Sequence, residues 1–275
     1  MIKQNGVELK LGNFPDGTLL MKMASEVSNA SEVVIEWHYE NDRELVALIF
    51  LAKHLRAHDV QKVHLYMPYI PNARQDRVKS AEDVFTLKYF AEIINGLDFN
   101  SVTVLDPHSN VSEALINHIK VESPKGYVET VIQKIADEEG ELPVMFYPDE
   151  GASKRYSGMI ELPYAFGIKK RDWKNGKILG LDAAGEVGEI AGKNILIVDD
   201  ICSKGGTFYY SAKKLKELGA KNIYLYVSHC ENSILEGDLI KSDLLKKVFT
   251  TDSILTVTHP LIEVINCGGM KDVRY

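Results

Sequence analysis

Ile195-Leu196-Ile197-Val198-Asp199-Asp200-Ile201-Cys202-Ser203-Lys204-Gly205-Gly206-Thr207 reads as a buried strand, two carboxylates at its end, a short loop with paired glycines, and the start of a helix. The helix continues through Phe208 to Leu218, with Gly219 as its stop. The same kind of apolar run recurs at Val33 to Ile35, Val63 to Met67, Val102 to Leu105, Val144 to Tyr147 and Ile223 to Val227. Helical patterns lie between these runs. Leu45, Leu48, Ile49, Ala52 and Leu55 share one helical face, and so do Leu87, Phe90, Ala91 and Ile94. Alternation of strand and helix predicts an α/β protein of mainly parallel sheets flanked by helices. Val102 to Asp106 and Ile195 to Asp199 repeat one theme, an apolar strand ending on Asp. Two related domains are therefore expected. Gly126 to Pro143, a helix running into Asp137-Glu138-Glu139-Gly140, is the expected boundary, giving domains 1–140 and 141–275.

Composition bounds the partners. The chain has 275 residues, 45% hydrophobic and 26% charged, with net charge -7. That balance predicts a folded protein and argues against a general nucleic-acid binder. An anion must be held by local groups. Three cysteines, Cys202, Cys230 and Cys267, are too scattered for a disulfide framework or a paired-cysteine metal site. The longest apolar run, Leu45 to Ala52, is far short of a membrane span. The opening residues lack an apolar signal core. The expectation is a cytoplasmic protein with neither membrane nor nucleic acid as partner.

The glycine loop carries the first chemical reading. Glycine lets the backbone approach an anion closely, and the N–H groups and dipole at a helix N-terminus favour that anion. The Thr207 hydroxyl adds a donor. Asp199 and Asp200 cannot hold phosphate, but they accept hydrogen bonds from sugar hydroxyls. A bare Gly-Gly would be an ordinary strand–turn–helix connection. The full string is more specific, and it resembles the phosphoribosyl-binding loop of type I phosphoribosyltransferases and ribose-phosphate pyrophosphokinases. It is not a Walker A loop, because no Gly-Lys-Ser/Thr closes it.

Four further segments favour the pyrophosphokinases. Pro68-Tyr-Ile-Pro-Asn-Ala-Arg74-Gln75-Asp76-Arg77 follows a strand, where open α/β sheets bind ligands, and it resembles that family's ATP-binding segment. Phe14-Pro15-Asp16-Gly17-Thr18 resembles the family's adenine-binding string, with Thr18 in place of a glutamate. Asp106-Pro107-His108 and Pro148-Asp149-Glu150-Gly151 match the segments the family ties to magnesium, an oxygen-seeking ion. Ile168-Lys169-Lys170-Arg171-Asp172 resembles the mobile loop that covers the reacting phosphates, with Asp172 where the family has a second arginine.

The resemblance runs in order from about residue 12 to residue 258. It implies a diphosphokinase that moves the β,γ-diphosphate of Mg2+-bound ATP to the C1 hydroxyl of ribose 5-phosphate. Phe14, Asp16, Thr18, Arg74, Gln75, Asp76 and Arg77 would hold ATP. Asp199, Asp200, Ser203, Lys204, Gly205, Gly206 and Thr207 would hold ribose 5-phosphate. His108 and Asp149 would serve the metal, and Lys170 with Arg171 would be catalytic on a mobile loop. Lys204 would add positive charge beside the phosphate. The resemblance also implies a homo-oligomer, a dimer or a hexamer of dimers. Two alternatives stand beside it: a type I phosphoribosyltransferase, and a catalytically inactive regulatory relative. The Arg74–Arg77 segment opposes the first; Thr18 and Asp172 speak for the second.

Overall fold

The computed structural model describes the backbone of residues 1–23, 30–171 and 178–268, and the side chains of 1–23, 30–168 and 181–268. The chain divides into two units. The first comprises Met1–Ser123 together with Cys267 and Gly268; the second is Pro124–Asn266. No helix among the described residues is long and apolar enough to cross a membrane.

In the first unit, short strands β1 (Ile2–Gln4) and β2 (Val7–Glu8) form one edge of a six-stranded sheet. The other four strands are parallel and run to the opposite edge: β5 (Glu32–Trp37), β6 (Lys62–Tyr66), β7 (Ser101–Leu105) and β8 (Ile119–Glu122). Strands β3 (Leu11–Asn13) and β4 (Leu19–Met21) make a separate antiparallel hairpin. Helices α1 (Arg43–Ala57), α2 (Thr86–Asn95) and α3 (Asn110–Leu115) connect the parallel strands. The expected helical faces are the buried ones: Leu48, Ala52 and Leu55 on α1, and Leu87, Phe90, Ala91 and Ile94 on α2. They pack with Val33, Ile35, Val63, Leu65, Val102 and Val104 in one core.

The second unit opens with α4 (Lys125–Glu139). A seven-stranded sheet follows, in the order β11-β10-β9-β12-β13-β14-β15. Its strands are β9 (Val144–Tyr147), β10 (Tyr164–Arg171), β11 (Ile178–Gly185), β12 (Ile195–Cys202), β13 (Ile223–Cys230), β14 (Lys247–Thr251) and β15 (Ile262–Ile265). Only β10 and β11 pair antiparallel. Helices α5 (Glu150–Tyr156), α6 (Gly206–Glu217) and α7 (Asp238–Lys241) lie between strands. Strand residues point alternately to the two faces. Ile195, Ile197, Ile223, Leu225 and Val227 enter one core, with Phe208, Ala212 and Leu215 of α6. Leu196, Val198, Tyr224 and Tyr226 enter the other, with Val128, Val131, Ile132 and Ile135 of α4. Both faces are covered, which is why these strands read as unbroken apolar runs.

The segment Gly126 to Pro143 is the expected helix, ending on Gly140 at φ 77°. Its buried face packs with the second sheet, so the contact division falls ahead of it, between Ser123 and Pro124. The segment around Lys170, expected as a loop, is strand as far as Arg171. Lys169 pairs with Leu181 and Lys170 with Gly180, and the register shifts before Arg171 pairs with Ile178. Hairpin arms are joined through backbone N–H and C=O groups, so this strand needs no apolar alternation to form. The side chains of Lys170 and Arg171, and all of Asp172, lie outside the described residues.

One polar network ties α4 to the second sheet. The Glu139 carboxylate accepts hydrogen bonds from Tyr224 Oη at 2.8 Å, Asn222 Nδ2 at 3.0 Å, Lys221 Nζ at 3.0 Å, and Lys246 Nζ. Lys246 and Lys221 lead in pulling its pKa down to about 2, with the Tyr224 hydroxyl next. A carboxylate with a depressed pKa adds stability above its unfolded pKa, and that stability is lost as pH falls through the folded value. Glu139→Gln is expected to lower unfolding stability at pH 7 by about 1.5–3 kcal/mol, the range for hydrogen bonds to charged groups. In denaturant titrations the gap between variant and parent should close as pH falls from about 4.5 to about 2. A gap that stays constant to pH 2 would show that the carboxylate charge is not what holds α4.

Candidate active site

In the second unit, strand β12 pairs with β9 from Ile195↔Val144 to Ile197↔Phe146, and with β13 from Ile195↔Ile223 to Cys202↔Cys230. Parallel strands leave the sheet at the same edge, so Asp149 after β9 and Asp199 and Asp200 near the end of β12 emerge together. The three carboxylates feel one another. Burial raises the Asp199 pKa well above the usual carboxylate range, with the charge of neighbouring Asp200 next and that of Asp149 contributing. The Asp200 N–H donates to Asp199 Oδ1 at 3.0 Å. Asp200 is buried, and Arg155 Nη1 of α5 stands 3.5 Å from its Oδ2. The Arg155 guanidinium also lies over the Tyr156 ring, 5.3 Å from its centroid. Asp149 caps α5, accepting from the Ala152 N–H at 3.0 Å. Carboxylate oxygens are the donor type a hard divalent cation such as magnesium takes; among the described residues these three do not converge into one tight ligand cluster.

The loop after β12 is built for close approach. Gly205 stands before α6 at φ +76°, a conformation L side chains rarely adopt, and contributes no side-chain cap. The first N–H groups of a helix lack intrahelical partners. Those of Gly206, Thr207 and Phe208 therefore stand at the mouth of the loop. A Cβ on Gly206 would meet nothing within 4 Å, so that position faces open space. Ser203 and Thr207 are half-buried. Lys204 departs from the simple expectation: its Nζ pairs with Glu236 at 2.9 Å, so its charge is already balanced by a neighbour.

In the first unit, the segments after β6 and β7 also leave one edge. Met67 N–H donates to the Thr103 carbonyl at 2.8 Å, and Leu105 N–H to the Pro68 carbonyl at 3.0 Å. Asp76 is buried and joins the two segments. It accepts from Arg77 Nε at 2.7 Å, Arg77 Nη2 at 3.0 Å and Ser109 Oγ at 2.8 Å. Arg77, then Ser109, pull its pKa down against burial, with His108 adding a smaller favourable charge effect. Gln75 accepts from Thr86 Oγ1 at 2.8 Å. Arg74, Gln75 and Arg77 are exposed, and His108 is half-buried. Asp106 holds φ 42° directly before Pro107, a strained backbone that persists where its surroundings over-determine it.

Phe14 to Thr18 form the tip joining β3 to β4. The Phe14 ring is 49% exposed, available for stacking. Thr18 has a structural role here: its N–H and Oγ1 donate to Asp16 Oδ1 at 3.0 and 2.7 Å. Arg43 of α1 fixes the hairpin base by donating to the Gly12 carbonyl and to Asn13 Oδ1.

Sequence reading missed Arg155 and Ser109. Arg155 follows the Pro148-Asp149 segment on its own helix, and extending the motif through α5 would have reached it. Ser109 lies next to His108 and reads as an ordinary helix cap, so nothing marked it as the Asp76 partner. Asp76→Ala removes the shared acceptor of Arg77 and Ser109. Amide hydrogen exchange is expected to rise at 70–77 and 106–110 while 199–207 keeps its protection. Unchanged exchange at 106–110 would mean that Asp76 does not couple the two segments.

Two family models match this chain, one in each unit. Residues 2–97 match the model of the N-terminal domain of ribose phosphate pyrophosphokinase, and residues 154–257 match the phosphoribosyl transferase domain. A ribose-phosphate pyrophosphokinase of Marinomonas sp. (strain MWYL1) is 29% identical over 273 residues, covering 96% of this chain and 82% of that protein. One from Pasteurella multocida is 26% identical, covering 93% and 81%. One from Saccharolobus solfataricus is 25% identical, covering 78% and 74%. The crystal structure of phosphoribosylpyrophosphate synthetase from Mycobacterium smegmatis has the same fold, with TM-score 0.76 at 17% identity, covering 94% of this chain and 86% of that one. With one matching model in each unit and relatives that span nearly the whole length, the chain belongs to the ribose-phosphate pyrophosphokinase family.

Proposed function

We propose that this chain transfers the β,γ-diphosphate of ATP to the C1 hydroxyl of ribose 5-phosphate, giving phosphoribosyl pyrophosphate and AMP. The observation that carries the reading is the end of β12, where two carboxylates, a glycine loop and the open N-terminus of α6 follow within eight residues. The N–H groups of Gly205, Gly206 and Thr207, with the Ser203 and Thr207 hydroxyls, bind the 5-phosphate. Asp199 and Asp200 accept the ribose hydroxyls and orient C1, with Arg155 holding Asp200 in place. Arg74, Gln75 and Arg77 hold ATP, and Asp76 organises their segment. Phe14 and Asp16 serve the adenine, and Thr18 shapes that tip. A homo-oligomer, implied by the resemblance, goes with this reading.

In this transfer the C1 hydroxyl gives up its proton to solvent as its oxygen bonds the β-phosphorus, the bond between that phosphorus and the oxygen shared with the α-phosphate breaks, and AMP leaves with that oxygen. Such chemistry depends on positioning and charge neutralisation rather than a covalent intermediate. Magnesium, when bound, neutralises charge on the triphosphate, with Asp149 and His108 as the residues proposed to serve it. Lys170 and Arg171 lie on an arm of the β10–β11 hairpin and act on the transferring group.

The deciding assay is AMP formation from ATP with and without ribose 5-phosphate. Turnover that requires both substrates and stops in excess EDTA supports the reading; AMP release without the sugar, or full turnover in EDTA, contradicts it. Gly206→Val is expected to raise KM for ribose 5-phosphate more than KM for ATP, since its side chain enters open space where the phosphate is proposed to sit. Equal losses for both substrates would point to misfolding. Lys170→Ala is expected to lower kcat by roughly 10²–10³, as for loss of one preorganised charge-stabilising donor. Lys169→Ala is the control: if it is the crippled variant, the register of this arm is off by one.

A further inference from the structure

The phosphate loop rests on a segment to which the proposed mechanism gives no part. That segment runs from a 3-10 turn at Asn232–Glu236 through Gly237 into α7. Gly237 has φ -76° and ψ 161°, extended backbone open to any residue, so its dihedrals do not demand glycine. Space does. A Cβ on Gly237 would lie 1.8 Å from the Lys204 carbonyl oxygen, 2.7 Å from its carbonyl carbon and 3.1 Å from its Cα. The contact is backbone on backbone, so no side-chain rotation relieves it.

The neighbours grip the same loop. A Cβ on Gly205 would lie 2.6 Å from Leu239 Cδ2, and Leu239 is anchored in the buried core of the second unit. Glu231 N–H donates to the Cys202 carbonyl at 2.8 Å, and Gly237 N–H to the Ile234 carbonyl at 3.1 Å. Cys202, Lys204 and Gly205 are thus each held from the 231–239 segment.

We propose that Gly237 is a positioning residue for sugar-phosphate binding, acting through the Lys204–Gly205 peptide. The Lys204 carbonyl and the Gly205 N–H belong to one rigid peptide plane. While the carbonyl rests against the bare Cα of Gly237, the Gly205 N–H keeps the orientation in which it donates to the 5-phosphate. Any side chain at 237 drives the carbonyl off by roughly an ångström or more, since non-bonded heavy atoms settle near 3.5 Å. The plane turns with it, and the donor leaves the phosphate. This rests on the reading of the loop given under Proposed function.

The test is Gly237→Ala in the full chain, by steady-state AMP formation and by calorimetric titration with ribose 5-phosphate and with ATP. KM and Kd for ribose 5-phosphate are expected to rise roughly ten- to a hundred-fold, the effect of losing one hydrogen bond to a charged group. Both constants for ATP should stay within two-fold. A folded variant with unchanged ribose 5-phosphate constants overturns the inference, and so do equal losses for both substrates. If Gly237→Ala does not fold, Leu239→Ala removes the support beneath Gly205 without a clash. The same selective rise is expected there, and no rise or an unselective one overturns the inference. Glu236→Gln with an effect as large as Gly237→Ala also overturns it, by assigning the effect to the Lys204 charge. A parent chain that binds no ribose 5-phosphate defeats the proposed function as well. A parent that binds it while Gly237→Ala binds equally well defeats this inference alone.

Discussion

Parallel pairing of β9, β12 and β13 is the constraint from which the chemistry of the second unit follows. Strands running the same way end at the same edge, which is where Asp149, Asp199 and Asp200 lie. Val198 is fully buried, yet Asp200 two residues on carries a charge partner, Arg155. Burial first, and then the charges of Asp200 and Asp149 at the same edge, raise the Asp199 pKa. The N-terminal end of α6 follows a few residues further along the same chain.

Polar work in that unit is divided between opposite edges of one sheet. Glu139 collects Lys221 and Asn222, just ahead of β13, and Lys246, just ahead of β14. Its carboxylate is stabilised as an anion, with a pKa pulled down to about 2, whereas Asp199 at the other edge is destabilised as one. The first is a satisfied network that fastens a helix. The second is a site held away from its electrostatic optimum. In the first unit Asp76 is paired in the same way, joining the segments after β6 and β7 through Arg77 and Ser109.

Much of this was legible in the sequence, for identifiable reasons. The runs at Val33, Val63, Val102, Val144, Ile195 and Ile223 are all strands, because strands covered on both faces leave long apolar signatures. The loop at Ser203–Thr207 was legible because its glycines and carboxylates are local in sequence. The β10–β11 arm was not, because a hairpin joined through its backbone needs no apolar pattern. Strands β1 to β4, only two or three residues long, are too short to show a period. Pairings between distant residues were also invisible. Nothing local marks Ser109 as the partner of Asp76, or Gly237 as the surface on which Lys204 rests. Lys204 itself read as a free cation until its partner Glu236 was seen.

The central claim is that the end of β12 is a sugar-phosphate site. A crystal structure of the chain with ribose 5-phosphate tests it most directly. The account predicts phosphate oxygens about 2.7–3.2 Å from the N–H groups of Gly205, Gly206 and Thr207, with the ribose hydroxyls on Asp199 and Asp200. Ribose 5-phosphate bound away from this loop, or reversed so that the carboxylates face the phosphate, would contradict it.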